Sequence, residues 1–90
     1  MLELGAGIGA LVVQTDPGWL HDEIEISPAG DDGNRSHKDV LERRANGRSY
    51  HVAVFDGLTD GRYTIWHHGV AHARDVRVAG AAVAELDLRG

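Results

Sequence analysis

Histidine is the residue type in this sequence with the widest chemistry, and six histidines occur among its 90 residues. A neutral imidazole binds zinc, copper or nickel and exchanges protons near neutral pH. His67 and His68 are adjacent, and because successive side chains of a strand point to opposite faces, we expect that they do not share one ion. His68 and His72 flank Gly69 and could meet across a hairpin, so a metal site there is the alternative to our expectation of no metal and no cofactor.

Trp66 is the side chain best suited to contact a ligand or a partner. The stretch around it alternates, so that Trp66 points outward if Tyr63 and Ile65 point into the core. An exposed indole on a sheet is a stacking platform for a sugar ring or an anchor for a protein partner. The sequence therefore predicts an exposed Trp66 on one sheet face.

Two histidines are the candidates to complete a ligand-binding group with Trp66. His68 lies two residues further along the same strand face, and His51 belongs to an earlier strand segment. The group of Trp66 with His68 or His51 predicts a carbohydrate-binding module as the alternative function. In the competing interpretation, Trp66 packs beneath the loop at residues 28–37 or lies in a homodimer contact.

No grouping in the sequence fixes a catalytic nucleophile beside a base. Cysteine is absent, and the serines lie in no Gly-x-Ser-x-Gly turn. The aspartates around Gly33 do not follow the calcium-loop pattern, and the segment from Gly5 to Gly9 lacks the spacing of a phosphate-binding loop. We therefore expect no enzymatic activity and no catalytic residue.

The charge balance excludes several classes of partner. Nine Lys and Arg residues against 14 Asp and Glu residues give a net charge of −5, which repels phosphate backbones and anionic lipid surfaces. No stretch reaches the roughly 18 consecutive apolar residues that cross a bilayer. We expect neither nucleic acid nor a membrane as partner, which leaves another protein or self-association, including a homodimer.

The N-terminal residues bear on where the protein acts. Glu3 stands among the first residues, where a signal peptide carries basic side chains, so we expect a cytoplasmic location. The alternative is that the domain is cut from a longer secreted chain. It stays open because the absence of cysteine fits either compartment.

The elements that position these side chains are short and separated by glycine. Ninety residues, of which 42% are hydrophobic and 26% charged, correspond to one domain at residues 1–90. Asp-Gly and Asn-Gly pairs supply the positive φ values of tight turns, and Asn46-Gly47 is the strongest hairpin signal among them. Trp19, which follows Pro17-Gly18, is expected to fix its loop to the core. The sequence predicts seven strands, at residues 8–14, 22–27, 38–44, 48–55, 61–67, 73–78 and 82–88.

Residues 38–44 are the stretch in which a helix competes with a strand. Val40, Leu41 and Arg44 could share a helical stripe. The hairpin signal that follows and the charged side chains of the segment favour an edge strand instead, preceded by a loop at residues 28–36. Seven short strands without a convincing helix are typical of an antiparallel β-sandwich.

One phrase in the second half of the chain resembles a known family. Residues 54–65 read VFDGLTDGRYTI and are followed by two further strand segments. Over about residues 50–88 the chain resembles the prealbumin-like sandwiches, which include carboxypeptidase regulatory-like, collagen-adhesin B-type and transthyretin-like domains. The resemblance implies an all-β Greek key of seven strands, Ig-like or prealbumin-like in its connections.

The resemblance also implies roles for three residues of the phrase. Leu58 caps the open end of the sandwich, Gly61 allows a tight turn, and Tyr63 places its ring in the core while its hydroxyl bonds back to the connecting loop. Domains of this kind have no single activity. The sequence therefore predicts a non-enzymatic protein-interaction or structural β-sandwich module.

Overall fold

The computed structural model describes residues 4–90; residues 1–3, on which the expected location partly rests, lie outside the described part. Within the described part there are eight β-strands and one turn of 3-10 helix at Pro17–Trp19. No helix among these residues is long and apolar enough to cross a bilayer. The strands are β1 (Ile8–Thr15), β2 (Glu23–Pro28), β3 (Ser36–Asp39), β4 (Leu41–Ala45), β5 (Arg48–Thr59), β6 (Gly61–His67), β7 (Val70–Val78) and β8 (Val83–Asp87).

The eight strands form two four-stranded sheets that pack face to face as a β-sandwich. Sheet I has the order β4-β5-β1-β8, and sheet II has the order β3-β2-β6-β7. Neighbouring strands are antiparallel except for β1 and β8, which pair in parallel. The prediction of an all-β sandwich is confirmed, the predicted antiparallel pairing is found for every neighbouring pair except β1 and β8, and the predicted number of strands is wrong.

The predicted count of seven strands is wrong because residues 38–44 contribute to two strands rather than one. β3 lies at the edge of sheet II and β4 at the edge of sheet I, with Val40 between them. Val40 is fully buried, and its N–H and C=O bond to Asp22 and His21 instead of to a ladder. The segment is extended, as predicted, but a buried residue at its centre lets the chain change sheets.

Two tight hairpins follow from short polar turns. Asn46 and Gly47 have φ values of 53° and 74° and connect β4 to β5, which confirms the hairpin predicted from this pair. His68 and Gly69 have φ values of 50° and 76° and connect β6 to β7 in the same way. His68 is therefore a turn residue, not the last residue of a strand.

The core lies between the inner faces of the two sheets. Sheet I contributes residues such as Leu11, Val13 and Phe55, and sheet II contributes Ile24 and Ile65, all of them almost completely buried. Complete burial of such a side chain contributes about 1.5–3 kcal/mol to stability. The alternation that buries these residues sends their neighbours to the outer faces, where the candidate sites lie.

The phrase that resembles the prealbumin-like domains has the polar contact that the resemblance implies for Tyr63. Leu58 packs against the core, and the Tyr63 hydroxyl donates a hydrogen bond of 2.6 Å to the carbonyl oxygen of Thr59. The chain passes tightly from β5 to β6 through Asp60, directly before Gly61, but the positive φ of 65° belongs to Gly57 and not to Gly61. Gly57 lies within β5, where this conformation bends the strand before the chain crosses to sheet II.

Candidate functional site

Trp66 lies on the outer face of sheet II but is covered. It is 6% exposed, and its Nε1–H donates a hydrogen bond of 2.9 Å to Oγ of Ser27. The guanidinium of Arg35 lies 3.7 Å above the ring centroid, and that of Arg74 lies 5.3 Å away. The expectation of an exposed Trp66 is wrong. The competing interpretation, in which Trp66 lies beneath the loop at residues 28–37, is confirmed by the position of Arg35.

Arg35 is held over the indole by its own polar contacts. Its Nε–H donates to the carbonyl oxygen of Asp32 at 2.8 Å, and its Nη1 lies 3.5 Å from a carboxylate oxygen of Glu25. Arg74 reaches Asp32 in turn, at 3.5 Å. Cations over an indole contribute about 0.5–2 kcal/mol each. The face on which a sugar ring would stack is therefore occupied by the protein itself.

The structure places the three predicted ligand-binding residues in different surroundings. His51 lies in sheet I, half-buried, and lines a shallow cavity of about 270 Å³ together with Thr15 and Tyr50. Trp66 lies under Arg35, and His68 lies in the β6–β7 turn, 72% of its side chain exposed. No hydrogen bond, ring contact or cavity among residues 4–90 joins His51 to the other two.

His67 and His68 lie side by side, contrary to the expectation that they point apart. Their rings stack with centroids 3.9 Å apart and an angle of 22° between the planes. The strand alternation that predicted opposite faces ends at His67, because the positive φ of His68 turns its side chain back. Nε2 of His67 lies 2.9 Å from Oδ2 of Asp22, and Nε2 of His68 lies 3.6 Å from the same oxygen. We refer to Asp22, His67 and His68 as the His-Asp cluster.

His72 contacts the aromatic side of the cluster rather than its carboxylate. Its ring meets Trp19 edge-on at 5.3 Å and His67 at 5.7 Å between centroids. Trp19 itself stacks on His67 at 3.7 Å, which confirms that Trp19 fixes its loop to the core. The donor atoms that could hold a metal come from Asp22, His67 and His68, so the predicted pair of His68 and His72 is replaced by a different set.

The outer face of sheet I carries an apolar strip that the sequence left ambiguous. Ala53 and Phe55 point into the core, so Val52 and Val54 point outward. Val54 pairs across the strands with Val12 of β1, and Val52 pairs with Leu41 of β4. We refer to Val12, Val52 and Val54 as the valine strip.

The valine strip forms the floor of a broad groove of about 700 Å³. Arg43 on β4 stands at one margin, and Glu85 on β8 stands at the other. Neither side chain has an ion-pair partner among the described residues. The groove is lined by Val12, Gln14, Arg43, Ala45, Tyr50, Val52, Val54, Glu85, Leu86 and Asp87.

Asp87, beside Glu85 on the same margin, already has a cationic partner. Both of its carboxylate oxygens accept hydrogen bonds from the guanidinium of Arg89, at 2.9 and 2.7 Å. These bonds, together with one from the Arg89 backbone N–H, lower the pKa of Asp87 to about 2. The pair is neutral as a unit, so Glu85 carries the unbalanced negative charge of this margin.

The chain was compared with known protein families, characterised proteins and solved structures. No family, no characterised protein and no solved structure matches it. The prealbumin-like resemblance therefore depends on the sequence of residues 50–88, and the function has to be argued from the geometry of the two sheet faces.

Proposed function

We propose that this protein is a non-enzymatic interaction module that associates with a second copy of itself through the outer face of sheet I. The observation that carries the proposal is the valine strip between Arg43 and Glu85. An antiparallel sheet with one face in water alternates apolar and polar side chains. Here residues 52–55 of β5 and 11–13 of β1 are apolar on both faces, as in a sheet that is covered on each side.

Burial of the valine strip would stabilise an association. Val12 and Val54 are half-buried in the single chain, Val52 is 9% exposed, and Leu41 at the border of the strip is 41% exposed. Removing apolar surface from water contributes about 25 cal/mol per Å². Exposed apolar patches bordered by charged residues are typical of protein interfaces. This combination supports a protein partner over a small ligand, because the groove is shallow and open along the strands.

The arrangement of charge across the face supports a second copy as that partner. The positive margin is on β4 and the negative margin is on β8, at opposite edges of sheet I. Arg43 pairs with Tyr50 and Glu85 pairs with Val12, so the two charges are offset along the strands as well as across them. A two-fold axis in the interface, perpendicular to the line from Arg43 to Glu85 and therefore inclined to the strands, exchanges the two margins. Arg43 of each copy then faces Glu85 of its partner while the valine strips meet at the centre. The face is therefore self-complementary in both charge and polarity.

Size-exclusion chromatography with light scattering tests the association. We expect the chain at high micromolar concentration to have about twice the 9.7 kDa mass of one copy. Val54→Glu places two carboxylates in the apolar centre of the dimer and is expected to give the mass of one copy, because a buried unpaired charge is costly.

Val70→Glu is the matched control. Val70 lies at the start of β7 in sheet II and is 58% exposed, so this variant adds the same charge away from the proposed interface and is expected to remain dimeric. A wild-type chain that stays monomeric at these concentrations would contradict the proposal, as would a Val54→Glu variant that is folded and still dimeric.

Carbohydrate binding stays a prediction that no observation here tests. It was based on an exposed indole, whereas Trp66 is 6% exposed beneath Arg35, so self-association is the better supported function. We also propose that the sandwich is prealbumin-like in its finer topology and that the protein acts in the cytoplasm. The contact from Tyr63 to Thr59 supports the first of these.

A further inference from the structure

We propose that the His-Asp cluster binds one divalent transition-metal ion of the zinc type. The candidate donor atoms are an imidazole nitrogen of His67, one of His68 and a carboxylate oxygen of Asp22, all within 4.8 Å of one another. Zinc binds nitrogen and oxygen ligands at roughly 2.0–2.2 Å in a tetrahedron, which separates neighbouring donors by about 3.4 Å. The distances of 2.9 and 3.6 Å from Asp22 to the two histidines lie on either side of that value.

Two of the three ligands are held rigidly by the fold. The His67 side chain is 9% exposed, and its ring is fixed against Trp19 by stacking at 3.7 Å. The backbone N–H of Asp22 donates to the carbonyl oxygen of Trp19, and its own carbonyl oxygen accepts from Val40, both at 2.9 Å. A site whose ligands are placed before the ion arrives loses little conformational entropy on binding.

The third ligand can adjust to the ion. His68 is 72% exposed and occupies the first position of the two-residue turn between β6 and β7. Its stacked ring has to rotate so that its nitrogen lone pair converges with that of His67 on one point. This high exposure leaves the ring room to rotate, because the cluster opens on that side into a polar groove.

The groove beside the cluster favours a cation. It has a volume of about 620 Å³ and is lined by three carboxylates and three imidazoles, those of His21, Asp22, Glu23, Glu25, His37 and His68. Arg35 lies 3.5 Å from Glu25, so the carboxylates of Asp22 and Glu23 supply the negative charge that raises the local concentration of a divalent cation. Three protein ligands leave the fourth tetrahedral position facing this groove, where water would complete the coordination.

The competing explanation is that Asp22 merely accepts a hydrogen bond from His67 and lies close to His68, without an ion. A metal site predicts that one zinc ion binds per chain and that the loss of a ligand side chain weakens this binding. Hydrogen bonding alone predicts neither result. The experiment is isothermal titration of the untagged full chain with ZnCl₂ near neutral pH. We expect one equivalent of zinc to bind with a Kd below about 10 µM.

Variants identify the ligands. Asp22→Asn and His68→Ala are each expected to weaken zinc binding by about 10-fold or more, because the first replaces a charged carboxylate oxygen with a neutral amide oxygen and the second removes an imidazole nitrogen. His72→Ala is the matched control, since it deletes an imidazole beside the same rings that is not a proposed ligand, and it is expected to keep the wild-type Kd within about twofold. Because His68 is exposed, the His68→Ala variant remains informative if Asp22→Asn fails to fold.

Two results would overturn the proposal. One is the absence of saturable one-to-one binding by the folded wild-type chain, and the other is an equal loss of affinity in His68→Ala and His72→Ala. Titration with Co²⁺ gives a second readout, because the intense visible absorption of a tetrahedral cobalt site requires the metal to be ligated by the cluster. Weak binding spread over the six histidines would give neither the absorption nor the stoichiometry.

Discussion

Tyr63 illustrates how one polar atom is placed within a small core. Its ring is 9% exposed, and its hydroxyl donates to the Thr59 carbonyl oxygen at 2.6 Å. Tyr63→Phe keeps the ring and removes the hydrogen bond, so we expect the free energy of unfolding to fall by about 1 kcal/mol. Urea denaturation measures the difference. Tyr50→Phe is the control, because the Tyr50 hydroxyl has no hydrogen bond among the described residues.

The same hydroxyl predicts a dependence on alkaline pH. Burial, with a smaller contribution from the charge of Asp60, raises the pKa of Tyr63 above its ordinary value of 10.0. The unfolded chain therefore loses this proton first as the pH rises past about 10, while the folded chain still holds it. The stability that Tyr63 provides is complete below that pH and decreases above it. An unchanged difference between wild type and Tyr63→Phe up to about pH 11 would contradict this assignment.

For single residues, the sequence predicts which face of a strand a side chain points to better than it predicts which side chains surround it. Alternation along the strand correctly places Trp66 on the outer face, yet it cannot show that Arg35, 31 positions earlier in the chain, covers the ring. The same rule fails for His68, because a residue that takes a positive φ leaves the strand pattern. The pair His68-Gly69 between two strand segments could have predicted a two-residue turn. That turn brings the His68 side chain back beside His67.

At the scale of elements, the crossing from β7 to β8 depends on two glycines at a close backbone approach. A Cβ on Gly80 would lie 2.7 Å from the backbone of Gly7, and a Cβ on Gly9 would clash with the carbonyl oxygen of Ala79. The Gly80 N–H also donates to a carboxylate oxygen of Asp60 at 2.8 Å. The glycine-rich start of the chain, which lacks the spacing of a phosphate-binding loop, therefore serves this contact between the two sheets.

Gly80→Ala tests that contact. The added methyl meets backbone that cannot move aside, so we expect a loss of about 1–3 kcal/mol, observed as a clearly lower Tm. Gly33→Ala is the control, because a methyl group added at Gly33 would have nothing within 4 Å of it, and this variant should leave the Tm unchanged or slightly raised. Equal Tm values for the two variants would show that the crossing is looser than the structure indicates.

The strand pattern was largely predictable, and the sheet assignment was not. The periodicity and turn residues located the seven predicted segments within a few residues, and residues 38–44 lie at sheet edges as predicted, although β3 begins at Ser36 in the predicted loop. What they could not reveal is that Val40 is buried between the sheets and splits this segment into β3 and β4. The change of sheet at Val40 depends on backbone hydrogen bonds to Asp22 and His21, which are distant in the sequence. The residues around Val40 therefore have the same local pattern as those of one continuous strand.

At the scale of the whole molecule, the outer faces of the two sheets differ in the side chains they present to solvent. The outer face of sheet II is covered by its own arginines over Trp66, whereas on sheet I Val12 and Val54 are half-buried and Val52 is 9% exposed. The sequence could not choose between Val52 with Val54 and Ala53 with Phe55 as the inward pair, because both are apolar. Only the pairing of β5 with β1 settles the choice, and it leaves the valines outside.

The central claim is that the outer face of sheet I binds a second copy with Arg43 opposite Glu85. Exchanging the charges tests this directly, with the dimer dissociation constant measured by analytical ultracentrifugation. Each dimer contains the pair twice, and an exposed pair contributes up to about 1 kcal/mol, so Arg43→Glu or Glu85→Arg alone should weaken the dimer by about 5- to 30-fold. The account predicts that the double variant recovers the wild-type constant within about threefold. A double variant weaker than both single variants, or single variants that do not differ from wild type, would contradict it.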